Sequence, residues 1–389
     1  MQRRRFLLSG AALGCSAAAS PLLTPIAFAQ APWENRLVVI ILRGAMDGLD
    51  VVQPLGDRNF AGLRPTLPGG GTELDGFYGL NAGLSLLLPL WQTQQLGFVH
   101  AVSTPYRDKR SHFDGQDILE AGTPGLTAAG SRDGWLNRML QTVPGLTAET
   151  AFAIGREQML ILTGAAPVAR WSPDATLQLS PEARQLLALV QQDDPLFRAA
   201  TEDAVMIVDE LASEPAPDMP ETTLRGDHVQ LARFAASRLL GETRIASFSI
   251  SGWDTHNRQA ANLAKALGRL SDTLLTLQTE LGPVWGQTAV LCMTEFGRTA
   301  RENGTGGTDH GTGGAMILAG GAVRGGRVVA DWPGLGDSDL YAGRDLLPSR
   351  DVRAHAGWVM RGLFGLDAGL IEQAVFPGLD LGADPGLLL

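Results

Sequence analysis

Five short stretches of the 389-residue chain gather side chains that could do chemistry together. They are Arg43-Gly44-Ala45-Met46-Asp47-Gly48, Arg107-Asp108-Lys109-Arg110-Ser111-His112-Phe113-Asp114, Gly252-Trp253-Asp254-Thr255-His256, Thr294-Glu295-Phe296-Gly297-Arg298 and Gly307-Thr308-Asp309-His310-Gly311. Asp, Glu and His in combination suit Zn²⁺, Mn²⁺ or a similar divalent ion, whereas carboxylates alone suit Mg²⁺ or Ca²⁺. The D-x-H spacing of Asp254 and His256 can place both side chains around one ion on an extended turn. Glycines beside His310 let the backbone approach closely, and the stretch 304–326 is far richer in glycine than a turn requires.

Each stretch also has a plainer structural reading. Asp47-Gly48 fits a turn. Ser111 with Asp114 fits a capping box, and Asp254 or Thr255 can cap a following helix. Glu295 and Arg298 can form an ion pair, and Asp309-His310-Gly311 can be a polar loop. His100, His228 and His355 stand alone and read as structural, while Trp135 and Trp253 read as core or pocket wall. No Gly-Lys-Ser/Thr phosphate loop, G-x-G-x-x-G fingerprint, G-x-S-x-G elbow or C-x-x-C pair is present.

The elements that must position these residues alternate. Leu37–Leu42 is a continuous β-branched apolar run, a strand buried on both faces as in a parallel sheet. The pattern then predicts a long loop over 56–80, a helix over 81–96, a strand over Gly97–Val102 and at least one helix within 115–142. Thr150–Ile154 and Met159–Leu162 are short strand candidates. Two helical patterns, about 181–213 and 225–240, flank the Pro-rich Glu214–Pro220 and suggest a helical insertion at about 181–241. A strand at Arg244–Ile250, an amphipathic helix over 256–281, strands at Thr288–Met293 and Ala315–Leu318, and a last helix near 351–363 complete the series. Such alternation predicts an α/β fold with a mostly parallel central sheet and helices on both faces. Four of the chemical stretches follow strands and the fifth precedes one, at the sheet edge where open α/β folds bind ligands.

Composition narrows the class. At 44% apolar and 19% charged residues the chain is not a disordered one, and a formal charge of −10 argues against a general nucleic-acid binder. Residues 1–29 combine Arg3-Arg4-Arg5, an apolar middle and Ala27-Phe28-Ala29, with no acidic residue before Glu34. This is the anatomy of an export signal, and Arg3-Arg4-Arg5-Phe6-Leu7 fits the twin-arginine pattern. The apolar part is short for a span, so no stable membrane anchor is expected. The expected product is a single α/β domain over 30–389, periplasmic or secreted, with the twin-arginine translocase as its partner during export. Removal of the signal would take Cys15 and leave Cys292 as the one thiol, so no internal disulfide is expected. Export after folding also makes a metal acquired in the cytoplasm worth seeking.

The twin-arginine start and the motifs Leu42–Leu49, Arg110–Asp114, Gly252–His256, Thr294–Thr299 and Gly307–Gly311 resemble the bacterial domain of unknown function 1501 family, over nearly all of residues 37–365. In layout that family is similar to the alkaline phosphatase and sulfatase superfamily. The resemblance implies an alkaline phosphatase-like sheet with two divalent ions at its edge. It implies Asp254, His256 and His310 on one ion, Asp47, Glu295 and Ser111 on the other, and Asp309 nearby. Glu295-Phe296 stands where the superfamily usually has Asp-His.

The implied activity is metal-assisted hydrolysis of a phosphate or sulfate ester on a small molecule or polymer. Ser111 would be the nucleophile, Arg110 or Arg298 would hold the non-bridging oxygens, and His112 would protonate the leaving group. Two other readings stay open. One is a metal-stabilised periplasmic binding or cell-envelope protein without turnover. In the other, Ser111 is only a helix cap and water is activated directly.

Overall fold

The computed structural model describes residues 31–107, 109–128, 132–173 and 226–389. The export-type start, Asp108 and residues 181–225 of the expected insertion lie outside the described residues.

The apolar run at the start of the chain forms strand β1 (Arg36–Arg43), whose alternate side chains enter two different cores. Val38, Ile40 and Leu42 face one, and Leu37, Val39 and Ile41 face the other, all fully buried. Full burial of such side chains is worth roughly 1.5–3 kcal/mol each, so a strand apolar on both faces settles in the middle of a two-sided sheet. The chain continues through β2 (Leu96–Ser103), β3 (Ala151–Ile154), β4 (Ala169–Trp171), β5 (Ile245–Ser251), β6 (Thr288–Met293), β7 (Gly314–Ala319), β8 (Val328–Val329) and β9 (Arg350–Asp351). Among the described residues the sheet order is β8-β2-β7-β6-β1-β5-β3-β4, with β9 paired to β2. β1 runs parallel to β5, with Leu37 opposite Ile245, and to β6, with Arg36 opposite Thr288. β7 is antiparallel to both of its neighbours, and the other pairings are parallel.

Helices cover both faces. On one side lie α3 (Asp227–Leu239) and α4 (Gln259–Leu281), the latter burying Leu263, Leu267, Leu270, Leu274, Leu277 and Leu281 at helical spacing. On the other lie α1 (His112–Ala121), α2 (Trp135–Gln141) and α5 (Val352–Phe364), with Trp135, Met139, Val359 and Leu363 in the core. Among the described residues no helix is long and apolar enough to cross a membrane.

The mostly parallel α/β layout agrees with the sequence pattern, and four local expectations differ. The stretch 56–80, expected as a long loop, carries a helical turn (Phe60–Leu63) and two short strands (Thr72–Glu73 and Gly79–Leu80) of a separate three-stranded sheet. The stretch 81–96 is a 3₁₀ turn (Ala82–Leu87) followed by a short α-helix (Leu88–Gln92). Pro89 has no N–H and is accommodated only in a first turn, so a new helix starts there. The stretch Met159–Leu162 is a turn rather than a strand, because Ile161 spends its N–H on the Glu120 carboxylate (3.1 Å). α4 begins at Gln259 rather than 256, after Arg258 in the left-handed region (φ 44°). The three residues so released extend the loop carrying Asp254 and His256.

Candidate metal centre

The loops that leave the carboxyl ends of β1, β2, β5 and β6, and the one entering β7, meet at one edge of the sheet. Gly44 (φ 121°) passes so close to the Trp253-Asp254 backbone that a Cβ there would collide with the Asp254 nitrogen. Arg298 ties these loops together from beneath. It is buried, and its guanidinium donates to the carbonyls of Gly44 (2.6 Å), Ala45 (2.8 Å), Trp253 (3.2 Å) and Thr308 (3.1 Å), and to the Asp254 carboxylate. Arg298 was expected to grip a substrate oxyanion; instead it is spent on the protein and positions Asp254.

Above Arg298, three imidazoles converge on Asp254. Its Oδ1 lies 3.1 Å from His256 Nε2 and 3.4 Å from His310 Nε2, and its Oδ2 lies 3.6 Å from His112 Nε2. The Nε2 atoms of His256 and His310 are 2.9 Å apart. Ligand atoms of His112, Asp254 and His310 all fall within 4.8 Å of one another.

The far nitrogen of each ring is held by an acceptor. His112 Nδ1 is 2.8 Å from Glu295 Oε1, His310 Nδ1 is 2.9 Å from the Arg110 carbonyl, and His256 Nδ1 is 3.3 Å from Asp309 Oδ1. Acceptors at Nδ1 place the N–H there and turn the Nε2 lone pairs inward, the arrangement that orients metal-binding histidines. Two inward lone pairs 2.9 Å apart need a proton or a cation between them. His112 Nε2 is buried without a hydrogen-bond partner. The carboxylates of Asp254 and Glu295 on either side of the ring push the His112 pKa up to about 9, so this position favours positive charge. Burial alone would raise the Asp254 pKa, but the neighbouring His112, His310 and Arg298 outweigh it and hold the carboxyl well below its usual range. Three imidazoles and one carboxylate fit Zn²⁺ or Mn²⁺, and fit poorly the all-oxygen preference of Mg²⁺ and Ca²⁺.

Local structure explains how the ligands reach this point. Ser111 caps α1 by accepting from Asp114 N (3.4 Å), and donates its own N–H to the Tyr106 hydroxyl (2.8 Å). The capping expectation for Ser111 therefore describes what its hydroxyl does here, and it puts His112 on the first turn of the helix. Arg110, just before, takes a left-handed conformation (φ 53°) that is sparse for a non-glycine residue, and its carbonyl receives His310 Nδ1. The Arg110 side chain reaches Asp345 (3.4 Å). Asn303 Nδ2 donates to the His256 carbonyl (2.9 Å) and to Asp309 Oδ1 (3.0 Å), joining the two histidine loops.

The residues expected on metal divide into three groups. Asp254, His256 and His310 meet, as the resemblance implied for one ion, and His112, expected as a proton donor, joins them. Glu295 and Asp309 stand behind the rings of His112 and His256. Glu295 is fully buried, and its oxygens also accept from Gly44 N (2.9 Å), Gln116 Nε2 (3.1 Å) and Thr294 Oγ1 (2.9 Å).

Asp47 lies apart. Both it and Arg64 are buried, and its carboxylate accepts from Arg64 (2.9 Å), Gln259 Nε2 (2.7 Å), Thr308 Oγ1 (3.1 Å) and Asp50 N (3.2 Å). The second ion's expected set of Asp47, Glu295 and Ser111 is therefore not assembled. Sequence reading passed over Gln116, Arg64, Gln259 and Arg344, whose Nη1 donates to the His310 carbonyl (2.8 Å). Only Gln116 had a signal, lying four residues after His112 on one helix face.

A family model described as "Protein of unknown function (DUF1501)" matches residues 91–371. No curated protein matches the chain. Several solved structures resemble it, three of which follow. One is a protein in the alkaline phosphatase superfamily from Vibrio parahaemolyticus, at 11% identity and a TM-score of 0.36, covering 78% of this chain. This chain spans 66% of that protein, just under two thirds of its length. Another is the lipoteichoic acid synthase LtaP from Listeria monocytogenes (9% identity, TM-score 0.41, 93% of this chain and 77% of that one). A third is a mutant TAB5 alkaline phosphatase with Mg bound (12% identity, TM-score 0.34, 78% of this chain and 95% of that one). At these scores the likeness concerns general architecture, and no residue's role passes through it.

Proposed function

The chain belongs to the family described as protein of unknown function (DUF1501), and from that premise we propose that it is an exported, metal-dependent hydrolase of phosphate or sulfate esters. The observation that carries the metal reading is the convergence of three histidine Nε2 atoms on Asp254, each ring backed by an acceptor at Nδ1. The ester reading rests on the motif order in the sequence and on the cationic rim near His310. Arg110 and Arg344 both pair with the buried Asp345 there (3.4 and 2.8 Å) while keeping about a third of each side chain exposed.

A divalent ion at this point, Zn²⁺ or Mn²⁺ by its donors, supplies Lewis acidity toward an ester oxygen and lowers the pKa of water. The chain's own residues do the rest. His112, Asp254, His256 and His310 hold the ion, while Glu295, Asp309 and the Arg110 carbonyl fix the three rings. Arg298 neutralises and aims Asp254. Arg110 and Arg344 meet the anionic substrate at the mouth. With the Ser111 hydroxyl engaged as a helix cap and His112 turned toward Asp254, attack by water is favoured over a serine-linked intermediate.

Metal analysis of the mature, purified chain tests this first. A divalent transition ion should co-purify and should be lost in His310→Ala and in Asp254→Asn. A phosphate- and sulfate-ester screen with added Zn²⁺, Mn²⁺, Mg²⁺ and Ca²⁺ tests turnover, which should survive Ser111→Ala and vanish with the metal. Bound metal without turnover of any ester would leave the second reading, a metal-stabilised envelope protein. That reading is favoured by one observation, that Arg298 and the Ser111 hydroxyl are both spent on the protein itself.

A further inference from the structure

Beside the metal centre, over the carboxyl ends of β3 and β5, lies a cavity of about 460 Å³. Arg156 and Glu157 follow β3, Ser249 and Ser251 end β5, and His228 of α3 and Arg269 of α4 close the walls. Most of the charge in these walls is already matched. Arg156 pairs with Asp227 (3.3 Å), and His228 Nε2 faces Asp272 (3.4 Å). Glu157 pairs with Arg43 (2.5 Å) and accepts from Ser249 Oγ (2.8 Å).

Arg269 differs: among the described residues its guanidinium has no hydrogen bond and no ion pair. It lies against Gly252, where φ is 99° and a Cβ would collide with the guanidinium. The glycine thus keeps open the space the guanidinium occupies, two residues before Asp254. A guanidinium presents five donors in a fixed fork that matches a carboxylate or phosphate. One left without a partner among the described residues, in the wall of a recess, offers a seat for an anion.

We propose that this cavity is an oxyanion-binding subsite, separate from the metal centre, in which Arg269 seats a phosphate or carboxylate group. The subsite stands independently of the hydrolytic reading. One consequence rests on that reading: an ester carrying a second anionic group could span from Asp254 to Arg269.

Calorimetric titration of inorganic phosphate into the mature chain tests the subsite. His256→Ala removes a ligand of the metal centre, and binding that persists in this variant and depends on Arg269 reports the cavity rather than the Arg110 and Arg344 rim. The expected result is persistence in His256→Ala and a weakening of about tenfold or more when Arg269→Gln is added. Competition by acetate would extend the seat to carboxylates, and its absence would confine it to phosphate. Loss of all binding in His256→Ala, or binding indifferent to Arg269→Gln, overturns the proposal. A second measurement needs no variant. Phenylglyoxal modification of Arg269, followed by mass spectrometry, should slow in phosphate, and indifference to phosphate would count against the seat. Both readouts are independent of ester turnover, so failure of the hydrolytic reading leaves them interpretable.

Discussion

Two polar clusters lie side by side at the same edge of the sheet, and they resolve their polarity in opposite ways. One is the set Asp47, Asp50, Arg64, Gln259 and Thr308, buried throughout. Arg64 donates to Asp47 (2.9 Å) and to the carbonyls of Thr299 (2.9 Å) and Ala300 (3.0 Å). Gln259 bridges Asp47 (2.7 Å) and Asp50 (2.8 Å), and receives the hydroxyls of Thr255 (3.0 Å) and Thr308 (2.7 Å). Burial, and then the charge of Asp47, pushes the Asp50 carboxyl up from its ordinary range.

The other cluster, His112, Asp254, His256 and His310, is partly open to water and does not close on itself. Its rings are fixed from behind, and their Nε2 atoms face one another. Asp47 looked as good a ligand in sequence as Asp254. The lesson is that a ligand site is marked by the donors its surroundings leave over, while a polar cluster that satisfies itself is scaffolding. The two are coupled, since Thr255 and Thr308 sit beside Asp254 and Asp309 in the loops that carry the ligands.

The sharpest way to break this contrast is to open the closed cluster. Asp47→Ala strands the buried Arg64 charge, and should cost about 3–5 kcal/mol in denaturant unfolding. It should leave the metal-to-protein ratio unchanged in whatever folds. Loss of metal with little loss of stability would instead return Asp47 to the ligand set.

A second test uses a histidine of the closed kind. His100 is fully buried, with Nε2 near the carbonyls of Val52 (3.0 Å) and Gly48 (3.2 Å) and Nδ1 accepting from Ala101 N (2.8 Å). Burial lowers its pKa to about 4. The unfolded chain, titrating near 6.5, therefore takes up this proton first as pH falls. The stability contribution is complete above about 6.5 and declines toward pH 4, by on the order of 3 kcal/mol. Urea unfolding across that range should show the decline, and His100→Gln should remove only the His100 share of its slope, because burial lowers the His355 pKa to about 4 as well.

A third test addresses the backing of the open cluster. Glu295→Gln should weaken metal affinity about 10–100-fold, because His112 loses its orienting carboxylate. Competition with a chromogenic chelator measures this, and an unchanged affinity would mean that Glu295 serves the fold alone. The smallest effect is expected from Ser111→Ala. Loss of the cap should cost about 1 kcal/mol in thermal or denaturant unfolding, with metal content intact.

Much of the fold was legible because burial has a local signature. The six-residue apolar run of β1, the amphipathic stripe of α4 and the strand before Thr294 all report their surroundings through side-chain type alone. The misread segments fail where a single side chain intervenes. Pro89 restarts a helix, and the Glu120 carboxylate takes an N–H that a strand would have used. In the site, Asp254 and His256 were legible as a pair from residue type and spacing, and the family resemblance grouped His310 with them. The roles of His112, Glu295 and Arg298 were not legible, because direct ligand, backing acceptor and buried tie use the same residue types and differ only in which atoms face which.

The sequence alone therefore determined the alternating strands and helices, the sheet edge that carries the chemistry, and the stock of carboxylates and imidazoles placed there. Those features depend on hydrophobic period and on neighbours within a few residues. Tertiary structure alone decided which of these side chains converge. The convergence joins loops two hundred residues or more apart, as where Arg298 reaches Gly44 and His310 reaches the Arg110 carbonyl. No local pattern encodes the direction of a lone pair across such a distance; it follows only from how the strands order themselves in the sheet.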